Sequence, residues 1–297
     1  MKDNFKFRNN NQETIKIGII CDLNKSSGLG HFKRMNYLNL QLEKYGQKGV
    51  FLFDSKDRKF IKNFTSNQKV IFYSQGESRK KNTLKSLINK HKITTIILDS
   101  YLFDFQFEKK LSKYGAYIIS IDDHLRKHVS NVVVSNRIGI KKNYKNQIWL
   151  TGSVYILAPK IKKIHKLKNV NTFNLKILFH AGGLSYYQKN KNFTENVLKV
   201  ISKSGHILDI ICSTSQSKKY IEKLSKKYKF KNRLKILPYL QNLKKKLGKY
   251  DLVVGPAGTI TFETILAGTL PFTIPFQNDG RDSLQSWNSL GHLMHLT

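Results

Sequence analysis

The feature that most constrains the fold of this chain is the repeated alternation of short apolar runs with amphipathic stretches. Short runs rich in Ile, Val and Phe predict buried strands, and segments with helical periodicity between them predict helices. Strands joined by helices form parallel sheets that are covered on both faces. In the first half we predict helices over 32–45, 78–91 and 104–113, and strands at Ile15–Cys21, Gly49–Phe53, Val70–Tyr73, Thr94–Asp99, Ala116–Asp122 and Asn131–Val134.

A second alternating series follows a basic segment at 158–174 that includes Pro159. We therefore predict an α/β protein with two Rossmann-like domains, 1–157 and 175–297, joined by a linker at 158–174. Their parallel sheets would direct their carboxyl ends into a central cleft. No helix closes the second domain near the last residues, which is compatible with a truncated or short version of this architecture. Its expected strands are Leu175–His180, Ile207–Cys212, Leu234–Leu237, Asp251–Gly255 and Leu270–Pro275, with helices over 190–202, 218–228 and 259–267.

The composition of the chain limits its partners. The formal net charge is +34, but only eight of the 53 basic residues are arginine. A nucleic-acid-binding domain usually clusters its basic residues and uses arginine to contact base edges, so we predict no nucleic-acid partner. The excess of lysine instead suits anionic substrates or peripheral contact with an anionic membrane surface.

The ends of the chain and its cysteines favour a cytoplasmic location. The first fifteen residues are polar, which does not fit a signal peptide. No apolar run approaches the roughly 20 residues that a membrane-spanning helix needs. Cys21 and Cys212 lack the spacing of metal ligands or of a disulfide framework, and we expect both to be buried free thiols.

A glycine-rich turn at Gly28-Leu29-Gly30 links the first predicted strand to a helix that begins near His31. Gly28 and Gly30 can adopt backbone angles that other residues avoid, and they allow a ligand to approach closely. The turn places His31 at the carboxyl edge of the sheet, directed into the cleft, with Arg34 one turn further along. We interpret His31 as a catalytic residue and Arg34 as a substrate ligand. The alternative is a tight turn in which the histidine merely caps the helix.

A second turn of small residues precedes the helix predicted over 259–267. The free backbone N–H groups around Gly258, Thr259 and Ile260, together with the helix dipole, would suit a diphosphate. Glu263, one turn into the helix, could accept hydrogen bonds from the hydroxyls of a ribose. The alternative is an ordinary capping arrangement with Thr259 at the N-cap.

Polar residues follow three other predicted strands. Asp99 and Asp122 end strands of the first half, where a carboxylate could orient a histidine or bind sugar hydroxyls. Asp122 could equally cap the segment that follows it. Gly182 and Gly183 come after a strand of the second half and form a third glycine turn at the expected cleft edge.

Taken together and in this order, the motifs GLGHFKR (28–34), Asp122-Asp123, Gly182-Gly183 and GPAGTITFE (255–263) resemble the UDP-sugar hydrolases of pseudaminic acid biosynthesis. These enzymes are relatives of the MurG-type glycosyltransferases and share the GT-B fold. The resemblance extends from about residue 15 to residue 291. The stretch that contains Gln285 is more similar to the transferase relatives, in which a glutamine contacts the sugar.

The resemblance implies that His31 is the general base that activates water against the anomeric carbon of a UDP-activated amino sugar. The C–O bond would break with inversion, releasing UDP and a free sugar for nonulosonic acid and surface glycan synthesis. Glu263 matches the ribose-binding carboxylate, and Gly30 and Gly183 match glycines of the sugar and phosphate sites. No metal or other cofactor is implied. Two alternatives remain: a glycosyltransferase that uses a lipid or glycan acceptor, and a nucleotide-binding protein without catalytic activity.

Overall fold

The computed structural model describes the chain in segments that together contain most of both predicted halves. Within these segments, no helix combines the length and apolar character needed to cross a bilayer. Cys21 and Cys212 are free and buried, as predicted. The described residues are 16–24, 29–74, 83–122, 126–136, 146–157, 174–180, 187, 191–238, 240, 243–256, 259–274 and 294–295.

A parallel sheet of seven strands forms the core of the first half of the described chain, in the order β3-β2-β1-β4-β5-β6-β7. From β1 the chain builds outward through β2 and β3, and it then returns to the other side of β1 with β4. A parallel sheet opens a crevice where the strand order reverses in this way, at the carboxyl ends of the central pair. The strands are β1 Ile17–Cys21, β2 Val50–Asp54, β3 Val70–Tyr73, β4 Thr95–Asp99, β5 Tyr117–Ile121, β6 Val132–Ser135 and β7 Ile148–Thr151.

The second half forms a parallel sheet of six described strands in the order β10-β9-β8-β11-β12-β13. Its reversal point lies between β8 and β11, so the second crevice opens at the carboxyl ends of those two strands. This repeated pattern confirms the predicted α/β class with two parallel sheets. The strands are β8 Lys176–Phe179, β9 Ile207–Ile211, β10 Leu234–Leu237, β11 Leu252–Pro256, β12 Leu270–Ile274 and β13 Met294–His295.

Helices cover both faces of each sheet. Because successive strand residues point to opposite faces, Ile19 packs beneath α1 with Phe32 and Met35, whereas Ile20 packs on the other face with Leu87 and Leu111. The helices are α1 Gly30–Glu43, α2 Arg58–Lys62, α3 Leu84–Lys90, α4 Phe105–Ser112, α5 Lys191–Ser202, α6 Ser215–Lys227, α7 Lys244–Leu247 and α8 Thr259–Leu266.

One predicted helix begins later than expected, and one described strand of the first sheet was not predicted. The helix predicted over 78–91 begins only at Leu84, because Thr83 has an extended backbone and its side chain accepts a hydrogen bond from the N–H of Ser86. The sequence interpretation also missed β7, which pairs with β6 at the edge of the first sheet. An edge strand of four residues with one exposed and three partly buried positions carries little of the apolar signal that marks a central strand.

Candidate functional site

The candidate site begins where β1 and β4 end. These strands pair in parallel with Cys21 opposite Asp99, so the carboxyl edge of β4 lies beside the connection from β1 to α1. Helix α1 begins at Gly30, as the glycine-rich turn predicted. His31 and Arg34 are three residues apart and therefore share a face of the first helical turns. That face lies over the end of β4.

His31 and Arg34 both bind the carboxylate of Asp99. Nδ1 of His31 is 2.7 Å from Oδ1 of Asp99, and Nε of Arg34 donates to Oδ2 at 2.5 Å. A second guanidinium nitrogen of Arg34 donates to Oδ1. All three side chains are buried, Asp99 completely. Asp99 therefore orients the histidine, one of the two roles that the sequence suggested for it.

The charge on Asp99 determines which nitrogen of His31 carries the proton. Burial alone would raise the pKa of Asp99, but the Arg34 guanidinium and His31 outweigh burial and lower the pKa to about 2. An ionised carboxylate can only accept hydrogen bonds, so Nδ1 of His31 must donate to it. In the neutral imidazole this leaves the lone pair on Nε2, which is the atom a general base needs.

The loop that follows Asp99 also contacts the imidazole ring of His31. The ring of Tyr101 meets the ring of His31 edge to face, with centroids 4.3 Å apart. Asp22, just after β1, accepts hydrogen bonds from the Ser100 hydroxyl at 2.5 Å and from the Tyr101 N–H at 2.8 Å. His31 thus contacts a buried carboxylate and an aromatic ring whose backbone is held by Asp22.

In the second crevice, the backbone of β11 lies very close to the residue that follows β8. A Cβ atom at Gly255 in β11 would come within 2.5 Å of the carbonyl oxygen of His180, so only glycine fits there. Helix α8 then begins at Thr259, with Glu263 one turn in as predicted. Burial raises the pKa of Glu263, with Lys33 and Lys244 acting in the opposite direction.

The two crevices lie close to each other. Lys33, on the first turn of α1, is near enough to Glu263 and His180 of the second half to influence the pKa of both. Burial and Lys33 lower the pKa of His180 to about 4, so this imidazole is neutral at physiological pH. In addition, Arg34 of α1 and Phe262 of α8 line one small cavity. A ligand bound at the start of α8 would therefore lie near the first turn of α1.

A much larger cavity of about 990 Å³ opens in the first half, at the same sheet edge. Its walls include Asp22 and Asn24 after β1, and Leu102 and Phe103 of the loop that carries Tyr101. Leu52 of β2 and other apolar residues line its interior. Ligand-binding pockets generally have volumes of about 300–1,000 Å³, so this cavity is large enough for a small molecule.

Asp122 forms part of a separate buried network. Its carboxylate accepts hydrogen bonds from the backbone N–H of Arg126 at 2.8 Å and from Nε of Arg126 at 3.1 Å. Nε2 of His128 lies 3.2 Å from Oδ2 of Asp122, and Nδ1 of His128 lies 2.7 Å from Oε1 of Glu108. Asp122 is completely buried among these partners. Its proposed contact with the substrate stays a prediction.

Of the other predicted site residues, some lie where the sequence predicted and some lie outside the described residues. Gly30 is exposed at the start of α1, and an added Cβ would meet nothing within 4 Å, which leaves space for a ligand. Thr259 and Ile260 begin α8 as expected. Within the described residues, no group of three or more His, Cys, Asp or Glu side chains is arranged to hold a metal ion. Five predicted residues lie outside the described residues: Gly28, Gly182, Gly183, Gly258 and Gln285.

Sequence reasoning missed three residues at this site: Tyr101, Lys33 and His180. Lys33 belongs to the motif that contains His31, and His180 directly follows a predicted strand, so both carried a positional signal. Tyr101 follows Asp99 by two residues, but its contact with His31 depends on the packing of α1 against β4.

Comparison with known proteins identifies a fold rather than a named family. No family model matches the sequence. The uncharacterized protein MJ1062 of Methanocaldococcus jannaschii is 24% identical over 284 residues, which cover 89% of this chain and 56% of that protein. The chain thus spans a little more than half the length of this relative.

Solved structures resemble the chain over nearly its whole length. MurG of Acinetobacter baumannii superimposes with a TM-score of 0.65 at 14% identity, covering 95% of this chain and 86% of MurG. A putative UDP-N-acetylglucosamine 2-epimerase of Listeria monocytogenes gives 0.60 at 13% identity, covering 95% and 90%. MnaA of S. aureus, solved with UDP, gives 0.59 at 13% identity, covering 91% and 82%. With its two parallel sheets and flanking helices, the chain has the GT-B fold of these structures.

Proposed function

We propose that this protein hydrolyses a UDP-activated amino sugar at the anomeric carbon, with His31 as the general base. The observation that carries the proposal is the pairing of His31 with ionised Asp99, which leaves the lone pair of the imidazole on Nε2 at the carboxyl edge of the sheet. The solved relatives support the nucleotide part of the proposal, since one was solved with UDP and another is named for a UDP-sugar.

In the proposed reaction, Nε2 of His31 takes a proton from a water molecule as the water oxygen attacks the anomeric carbon. The bond between that carbon and the β-phosphate oxygen breaks, and its electron pair leaves with UDP. Attack from the face opposite the leaving group inverts the anomeric centre. Asp99 stabilises the imidazolium that forms, as an ionised carboxylate does when it binds the far nitrogen of a basic histidine.

The second crevice would bind the leaving group. The free N–H groups at the start of α8 and the dipole of that helix favour the growing negative charge on the diphosphate. Glu263, one turn into this helix, would accept hydrogen bonds from ribose hydroxyls. Lys33, which faces this helix from α1, adds a positive charge between the two crevices.

Transfer of the sugar to an acceptor is the second candidate, and the cavity of about 990 Å³ favours it. Hydrolysis requires room only for water beside the sugar, whereas transfer requires a place for a second substrate. The cavity shares the loop at Leu102 and Phe103 with the His31 site. In transfer, a hydroxyl of the acceptor would give its proton to His31 in place of water.

The decisive experiment incubates the purified protein with UDP-activated amino sugars and measures released UDP, with and without candidate acceptors. Release of UDP and free sugar without acceptor supports hydrolysis, and release that requires acceptor supports transfer. The variant His31→Ala should lose at least about 10²-fold in kcat while retaining UDP affinity, since general-base catalysis contributes about 10²–10⁴-fold.

A suitable control is His91→Ala, which removes a histidine at the C-cap of α3, just before the amino end of β4 and so at the opposite edge of the sheet from the site. If His31→Ala and His91→Ala had the same kcat as the natural chain, His31 would have no role in the reaction. Binding of UDP without any turnover would instead support a nucleotide-binding protein without catalytic activity.

A further inference from the structure

We propose that Arg126 and Asp22 are positioning residues that hold the loop 100–103 from its two sides and thereby fix the orientation of His31. This inference rests on the proposed role of His31 as a base. Neither residue touches His31 in the described structure. Both act through the loop, which begins directly after Asp99 and contains Tyr101. Asp99 and Tyr101 each contact the imidazole.

Arg126 holds the loop by donating hydrogen bonds to two of the loop's carbonyl oxygens. Its terminal nitrogens donate to the carbonyl oxygen of Ser100 at 3.0 Å and to that of Phe103 at 3.1 Å, so one planar group spans both ends of the loop. Its Nε donates to Asp122 at 3.1 Å. A guanidinium group provides these donors in one fixed plane, which a lysine ammonium cannot do.

Asp22 holds the same loop from the side of β1. One carboxylate oxygen accepts from the Ser100 hydroxyl, and the other accepts from the Tyr101 N–H. The Ser100 hydroxyl oxygen also accepts from the N–H of Leu102 at 3.0 Å. Successive loop residues are therefore bonded on one side to Asp22 and on the other to Arg126.

The partners of Arg126 are themselves anchored. Glu108 of α4 accepts from Nδ1 of His128, the N–H of Val129 and the hydroxyl of Ser120, so the network connects α4 with β5 and the segment before β6. Burial alone would lower the pKa of His128, but Asp122 and Glu108 raise it to about 9, so His128 is protonated at neutral pH. The carboxylates of Asp122 and Glu108 thus face the cations of Arg126 and His128, and this pairing offsets the cost of burying the four charges.

The chain offers a matched control for the arginine. Arg233, in the second half, also donates to loop carbonyl groups, those of Ser202, Ser204 and His206. Replacing either arginine by lysine removes the same kind of contact. Only Arg126 lies in the network that reaches the His31 site.

The test compares Arg126→Lys with Arg233→Lys. A displacement of reacting groups by about 1 Å can cost about 10²-fold in rate. We therefore expect Arg126→Lys to lower kcat by about 10–100-fold with little change in KM, and Arg233→Lys to leave kcat within about twofold. The ¹H NMR shifts of the His31 ring protons, which depend on the position of the nearby Tyr101 ring, should match the natural chain in Arg233→Lys and move in Arg126→Lys.

Equal kcat values and equal shifts of the His31 ring protons in the two variants would overturn the proposal. If Arg126→Lys does not fold, Ser100→Ala provides a second test, because it removes the bond to Asp22 without changing any charge. The NMR measurement needs no turnover. A wild-type protein inactive on every UDP-sugar would therefore refute the proposed function while the role of Arg126 and Asp22 was still tested by the ring-proton shifts of His31.

Discussion

Replacing Asp99 by asparagine tests the proposed base most sharply, because the amide differs from the carboxylate mainly in charge and in which atoms can donate. In the natural chain Asp99 accepts from both Arg34 and His31. Arg34 donates to both oxygens of Asp99, so in either orientation the NH₂ of the introduced amide faces a guanidinium nitrogen and one of these bonds is lost. An amide NH₂ that faces Nδ1 of His31 favours the tautomer with the proton on Nε2, which cannot act as a base, and in either orientation the neutral amide no longer stabilises the imidazolium.

The expected loss of activity is large, and nucleotide binding should not change. General-base catalysis contributes about 10²–10⁴-fold, so kcat should fall by at least about 10²-fold. Asp99 is completely buried and cannot contact a nucleotide in the open crevice, so UDP affinity should stay within about twofold of the natural value, less than about 0.4 kcal/mol.

The same substitution should also lower stability. The pKa of Asp99 falls from 3.8 to about 2 on folding, which corresponds to about 2 kcal/mol. This stabilisation is present above pH 4 and is lost as the pH falls toward 2. Leaving Arg34 buried without its counter-charge can raise the cost to about 3–5 kcal/mol. Activity must therefore be measured well below the melting temperature of the variant.

The assay is UDP release from the best UDP-activated sugar, with folding verified by circular dichroism and UDP affinity by calorimetry. Asp104→Asn is the matched control: it makes the same chemical change five residues away, and asparagine also serves as an N-cap for α4. If Asp99→Asn kept the kcat of the natural chain, the reasoning about the tautomer of His31 would be refuted.

Three further predictions concern binding and stability. Glu263→Ala should weaken UDP binding about tenfold or more by calorimetry, since hydrogen bonds to a charged group contribute about 1.5–3 kcal/mol; unchanged affinity would argue against ribose contact. The raised pKa of His128 stabilises the fold fully below about pH 6.5 and progressively less toward pH 9, so Tm should fall over that interval, and less steeply in His128→Gln. Asn39→Ala should cost about 1–3 kcal/mol in denaturant unfolding without changing kcat, because the Asn39 side chain bonds both the N–H and the carbonyl of Gly49.

The local pattern of the sequence was sufficient to predict the framework of the first crevice. The apolar run before Cys21, the glycines and the helical spacing after His31 are properties of neighbouring residues, and they correctly predicted β1 and α1. The same reasoning correctly predicted β11 and α8 around Gly255 and Glu263. Both motifs lie at reversal points of their sheets, as expected if they bind one ligand.

Residue roles that depend on strand order could not be predicted. Nothing near Asp99 indicates that β4 pairs with β1, and this pairing alone brings Asp99 to His31 and Arg34. Asp122 had the same signal, a carboxylate at the end of a buried strand. It lies one strand further along the sheet, where Arg126 and His128 occupy it. The distance between a residue at a strand end and the site depends on the order of all the strands in the sheet, and the neighbouring sequence does not contain that order.

The central claim is that a UDP-sugar binds with its diphosphate at the start of α8 and its anomeric carbon beside Nε2 of His31. A crystal structure of the protein soaked with UDP tests this most directly. We predict the ribose at Glu263, the β-phosphate at the first turn of α8, and open space next to that phosphate into which Nε2 of His31 points. UDP bound elsewhere, or a His31 imidazole turned away from the phosphate, would contradict the account.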